Sequence, residues 1–158
     1  MNDTLKGTID HIIDVAMENL MRDGNLTPVG FFIMGGEVCG IVSLPFDTPE
    51  MKYAAMVALG QVAEKHSADA VIVVSDVWVS TRTMEANDWP IPSEDPAHQE
   101  AIVLACKEKD GSTHVLMTRY VRNDDNKVVS FEERMVAEEN NCYLSLLEEV
   151  FPQHRSTH

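Results

Sequence analysis

The side chains best suited to chemistry gather around one long irregular stretch. Thr81 to His98 reads TRTMEANDWPIPSEDPAH and carries Glu85, Glu94, Asp95 and His98, with Asp76 a short way upstream. Carboxylates and imidazole are the usual ligands of a hydrolytic metal ion, and a carboxylate can orient an imidazole for general-base work. Asp76, Glu85, Glu94, Asp95 and His98 therefore form the candidate site. The chemistry implied is that of a small metal-assisted hydrolase, built where Asp76 meets the 81–98 loop. Length singles this stretch out: connections beyond about 12–15 residues are uncommon in compact domains and are often functional.

The spacing within that set is not diagnostic. The sequence has no HExxH, no CxxC, and no HxE paired with PCxxC. It has no HxH pair, which a JAB/MPN metalloprotease requires, and its six histidines stand singly. No GxSxG elbow marks a serine nucleophile. GGEVCG lacks the GxGxxG spacing, the GK[ST] ending and a following helix of a phosphate loop. No catalytic residue, metal or cofactor is assigned on this basis. Turn chemistry explains much of Ser93-Glu94-Asp95-Pro96, because Ser and Asp bond nearby amides and proline stiffens the residue before it. Asp76 can serve by capping a turn or accepting from a loop amide, and His98 can be an exposed loop residue. Met84, Trp89, Trp78 and Tyr120 are candidates for a binding surface, though such residues more often anchor a core.

Bulk properties narrow the classes further. The net charge is −14, from 26 acids and 12 bases. Phosphate recognition needs a basic face, and the best local basic pair is only Arg119 with Arg122, so nucleic acid is not an expected partner. The acids fall in scattered pairs such as Asp124–Asp125 and Glu148–Glu149, the pattern of a solubilising surface. Cys39, Cys106 and Cys142 are odd in number and far apart, which fits packed, reduced thiols in a cytoplasmic protein. MNDTLKGTID has no apolar signal core. No aliphatic run approaches the roughly 20 residues of a membrane span, so no membrane partnership is expected. Residues 1–152 read as one globular domain, with 153–158 a disordered tail.

The elements that must position these residues follow from periodicity. Asp3 to Arg22 reads as a helix, with Leu5, Ile9, Ile12, Ile13, Ala16, Met17, Leu20 and Met21 on one face, Asp3 as cap and Gly24 as stop. Val29–Met34 and Glu37–Leu44 flank Gly35-Gly36 as a hairpin. Asp47 and Glu50 have capping-box spacing around Pro49. The helix that follows has a stripe of Met51, Ala54, Ala55, Ala58, Leu59, Val62 and His66, and Gly60 suggests close approach to a sheet. Val71–Val74 reads as an interior strand covered on both faces. Glu100–Lys109 and Thr113–Arg122 form a hairpin around Asp110-Gly111, a short strand covers Lys127–Phe131, and a last helix is expected within Glu133–Phe151.

The fold expected is α+β: a five-stranded, mainly antiparallel sheet with helices packed on it, in the order α-β-β-α-β-β-β-α. The element order resembles that of roadblock, longin and profilin-like domains, in topology alone. A binding or scaffold module, acting through protein or small-ligand contacts, is the function expected first. Edge strands need covering, so a homo-oligomer, in the simplest case a dimer, is the expected assembly, with a protein partner as a further expectation.

Overall fold

The computed structural model describes residues 2–45, 47–80, 98–136, 147–148 and 150–151. The first helix, α1, spans Asp3–Asp23. Its cap is Asn2 and not Asp3: the Asn2 side chain accepts from the Leu5 amide at 2.7 Å, and Asp3 sits in the first turn, where its charge suits the helix dipole. Gly24 ends the helix in the left-handed region, at φ 80°, its N–H donating to the Leu20 carbonyl. Leu5, Ile9, Ile12, Ile13, Ala16 and Leu20 are buried as the apolar spacing implies, while Met21 is exposed.

Strands β1 (Val29–Met34) and β2 (Glu37–Ser43) form an antiparallel hairpin. Gly35 and Gly36 both take positive φ, 60° and 80°, the requirement of the tight turn whose twist matches its strands. The turn packs on the start of α1. A Cβ added at Gly36 would lie 2.7 Å from the Thr4 Cγ2, and the Thr8 hydroxyl donates to the Gly36 carbonyl. The Gly35 amide donates to Asp69 Oδ2 at 2.7 Å, tying the hairpin to the far end of the next helical unit.

Helix α2 spans Pro49–Lys65. Thr48, not Asp47, caps it, its hydroxyl accepting from Met51 N at 3.1 Å, with Pro49 at the first position. The face it buries also differs from the expected stripe. Met56, Leu59, Gly60 and Ala63 are buried, whereas Met51, Ala54, Ala58, Val62 and His66 are exposed. The cause is the position of the sheet beneath. Gly30 of β1 lets Leu59 descend until its Cδ1 is 3.0 Å from where a Cβ would stand. That contact rotates the outer half of the apolar stripe away from the sheet.

The long strands β3 (Ala70–Ser80), β4 (His98–Glu108) and β5 (Thr113–Arg122) complete the centre, followed by β6 (Val128–Phe131) and β7 (Met135–Val136). The order across the sheet is β2-β1-β3-β4-β5-β6, β7 also pairs with β5, and every pairing is antiparallel. The class is α+β as expected, with seven strands in place of five. The short strand read at Lys127–Phe131 joins as β6, and β7 occupies the start of the expected last helix. Residues 137–146 of that helix lie outside the described residues.

Alternation divides the sheet into two cores. Ile72, Val74, Ile102, Leu104 and Cys106 face α1. Val71, Val73, Ala101, Val103 and Ala105 face α2, together with Leu147, Val150 and Phe151. Double coverage explains the β-branched run of β3. Each large side chain so buried contributes about 1.5–3 kcal/mol. The Lys107 ammonium donates to the Leu147 carbonyl at 3.2 Å, and Arg134 bonds Asp10 and Asp14 of α1 at 2.8 and 3.1 Å. Cys106 is packed as expected, but Cys39 is exposed. It occupies a bulge: Phe32 pairs with Gly40 and Ile33 with Val38, leaving Cys39 the extra residue. Cys142 lies outside the described residues.

Candidate functional site

Of the sequence-selected set, Glu85, Glu94 and Asp95 lie outside the described residues. Asp76 pairs with Ile102 across β3 and β4, and His98 pairs with Ser80. Four strand positions therefore separate Asp76 from His98 along the ladder, about 13 Å at the rise of a strand. Met84 and Trp89 also lie outside the described residues, and Trp78 stands opposite Glu100 in the ladder.

Asp76 does have neighbours, and they come from the strands beside it. The register aligns Glu100 with Tyr120, and Tyr120 with Phe131, on the α1 face of the sheet. Arg122 reaches back from the end of β5. Its Nε donates to Glu100 Oε2 at 2.6 Å, its Nη2 to the Gly24 carbonyl at 2.9 Å, and its Nη1 to the Asn126 carbonyl at 3.0 Å. The guanidinium lies 5.5 Å from the centroid of the Tyr120 ring, within cation–π range. The Tyr120 ring in turn tilts against Phe131, centroids 6.1 Å apart. Tyr120 is only 4% exposed, which makes it a core anchor and not a surface platform.

The electrostatics of this cluster follow from burial. The carboxyl of Asp76 titrates above the ordinary aspartate range, chiefly because it is desolvated and secondarily because Glu100 is near. Its own backbone amide, that of Leu26 and the Arg122 charge pull the other way. The Tyr120 hydroxyl is also pushed up, first by burial and then by the fields of Glu100 and Asp76. Arg122 is held firmly charged, mainly by its hydrogen bond to Glu100. Among the described residues neither the Tyr120 hydroxyl nor the Thr118 hydroxyl has a hydrogen-bond partner of ordinary geometry.

Asp76 lines one side of a polar cleft of about 640 Å³, with Ser75, Thr27, Asp47 and Lys52 around it. The cleft lies where the loop after α1 meets the start of α2. Among the described residues no three His, Cys, Asp or Glu side chains come together as a metal site. What the arrangement can do is present a carboxyl of raised pKa, Asp76, and bind polar groups. Arg122 is occupied by Glu100 and two carbonyls. Arg119 stands on the other face of β5, paired with Ala101, so the two arginines do not combine into one basic patch.

The second notable surface surrounds β2, at the edge of the sheet. Every β2 residue except Gly40 is exposed, Ile41 at 66%. An apolar groove runs along each side of this strand. One, of about 320 Å³, lies between β2 and α1 and is lined by Ile12, Val15, Phe31, Val38 and Ile41. The other, of about 430 Å³, lies between β2 and α2 and is lined by Phe32, Val42, Leu44, Met51, Ala54, Ala58 and Val62. The sequence signal for this second groove was the apolar stripe of α2, whose outer half the sheet leaves uncovered.

No helix among the described residues is long and apolar enough to cross a membrane. Neither the curated proteins nor the solved structures give a significant match to the chain. One protein-family profile, that of bacteriophage lambda protein ea47, matches residues 1–153. With nearly all of its length so matched, the chain belongs to the bacteriophage lambda protein ea47 family.

Proposed function

We propose that the chain is a binding or scaffold module that works through contacts with protein or a small ligand, as a homo-oligomer. The observation that carries this reading is the apolar surface around β2, with Ile41 66% exposed between two grooves. Exposed apolar surface gathered around one edge strand is the kind of feature that marks an interaction site. The free thiols of Cys39 and Cys106 fit a reducing compartment. Titration with an apolar fluorescent probe tests the reading. Saturable binding, weakened by Val62→Asp and Ile41→Asp, is the expected result. A surface that takes up no probe, in a chain that light scattering finds strictly monomeric, overturns it.

A second reading, a metal-assisted hydrolase, draws support from Asp76, whose half-buried carboxyl, of raised pKa, lines the polar cleft. Its test is the metal content of protein purified without a histidine tag, joined to thermal shifts with zinc, manganese and magnesium. A metal-free chain whose melting none of the three ions moves sinks this reading.

A further inference from the structure

We propose that the occupant of the β2 surface is a second copy of the chain, with β2 paired antiparallel to β2 of that copy about a twofold axis at Val42. This rests on the binding-module reading and names its partner.

The charge distribution selects the partner. The chain carries −14, so two copies repel except where a face is free of acids. Neither groove is lined by a single carboxylate, lysine or arginine, and His11 is the one titratable group in either lining. The uncharged face of a strongly acidic chain is complementary to an equally uncharged face and offers nothing to a basic or acidic partner. A twofold contact, in which one patch meets itself, satisfies that condition with one surface.

The ladder then fixes the register. The Leu44 amide donates to the Pro28 carbonyl at 2.9 Å, and β1 pairs with β2 in step from there, Val29 with Ser43 and Phe31 with Ile41. Hydrogen-bonded and non-bonded pairs alternate along an antiparallel ladder. The backbone groups of Ser43 and Ile41 therefore point outward, away from β1. The bulge at Cys39 ends the regular edge on one side, and Pro45, with no N–H to give, ends it on the other. Within that window one register uses all four outward groups. Ile41 faces Ser43 of the second copy and Ser43 faces Ile41, which places Val42 against Val42 at the axis and Gly40 opposite Leu44.

The same arrangement accounts for the exposed half of α2. Its Leu59 sits over Gly30 of β1. In a sheet continued through two β2 strands, the two β1 strands lie three spacings apart, about 14 Å. Met51, Ala54, Ala58 and Val62 then point across the shared β2 pair toward the other α2. The groove beside α2 becomes the dimer core, and the edge is covered.

Val42→Cys in a Cys39→Ser/Cys142→Ser background tests the register. Non-bonded pairs hold their Cα atoms about 4.5 Å apart, inside the disulfide range. Mild oxidation is expected to give covalent dimer at Val42→Cys and none at Val129→Cys, on the opposite edge of the sheet. The Ile41→Cys/Ser43→Cys chain, whose altered side chains are both exposed, should give the same crosslink without touching Val42. Val42→Asp, with its circular dichroism unchanged, should weaken self-association more than about thirtyfold, the size of a central hot-spot loss. Crosslinking at Val129→Cys only, or a dimer that survives Val42→Asp, overturns this interface. A chain that sediments as a monomer at every concentration overturns it too. If such a monomer still binds the apolar probe, the module reading stands with a different occupant.

Discussion

Arg122 holds Glu100 at 2.6 Å, and with its other nitrogens it grips the carbonyls of Gly24 and Asn126. One side chain thus joins β4, the β5–β6 turn and the end of α1. Both partners of the ion pair are 18% exposed, so water screens the pair only in part. Replacing Arg122 by Met leaves Glu100 unpaired and two carbonyls without a donor. The expected loss is about 2 kcal/mol in urea unfolding, within the range for a hydrogen-bonded charge deprived of its partner. Adding Glu100→Gln should recover part of it, because the amide removes the stranded charge.

Asp76 sets a pH dependence of known sign. Its folded pKa is raised, mainly by burial, so the folded chain binds this proton more tightly than the unfolded one. The stabilising contribution is fully present below the unfolded carboxylate range and is lost as pH rises through the raised value. Asp76→Asn is expected to remove that dependence. At neutral pH the variant should melt no lower than the parent, with a gain below about 1 kcal/mol once solvent screening of a half-exposed group is allowed for. At pH values under the ordinary aspartate range the two should converge. Melting curves across the acid range check this, and a variant less stable at neutral pH contradicts it.

Gly36 offers a sharper structural test. Its φ of 80° and the 2.7 Å approach of Thr4 leave no place for a methyl group. Gly36→Ala should cost about 1–3 kcal/mol through backbone strain and displacement of the turn from α1. Gly35→Ala, with open space at its Cβ position, should cost less. The difference between the two variants in urea unfolding separates packing from conformational strain.

How much of this was legible in the sequence depends on the distance over which each feature is determined. The β3 run and the α1 face are local signals, and both elements form where the spacing puts them. The α2 stripe was also a true apolar stripe. Its periodicity could not say which half the sheet would cover, because that depends on the gap at Gly30 in another strand. The expected cap at Asp47 lost to Thr48 by one position, since both residues offer an oxygen and only the backbone turn chooses. Tyr120 stood out only as a binding-surface candidate, Arg122 only beside Arg119 and Glu100 only as the start of a strand, because nothing local links the three. A signal was there in Tyr120 and Arg122, whose spacing puts them on one strand face, but only the register of β4 against β5 brings Glu100 to them. The bulge that exposes Cys39 arises likewise from pairing, not from composition.

The far end of the chain is part of the core. Leu147, Val150 and Phe151 are 1%, 0% and 2% exposed, packed on the α2 face of the sheet. Phe151→Ala is expected to cost about 3–5 kcal/mol, enough to consume much of the stability of an ordinary domain. A tail that merely followed the domain would show no change in the urea midpoint.

The two described cysteines should differ in reactivity by more than access alone. Cys106 is fully buried and its thiol is pushed up to about 12, by burial first and by Glu108 second. The thiolate is the reactive form, so at neutral pH almost none is present even when a reagent reaches it. Cys39 sits in the exposed bulge of β2. Iodoacetamide at neutral pH should label Cys39 in the folded chain and Cys106 only after unfolding, as read by peptide mass spectrometry. Prompt labelling of Cys106 in folded protein means that the sheet opens between β4 and α1. That outcome contradicts the packing of Ile102, Leu104 and Cys106 against that helix.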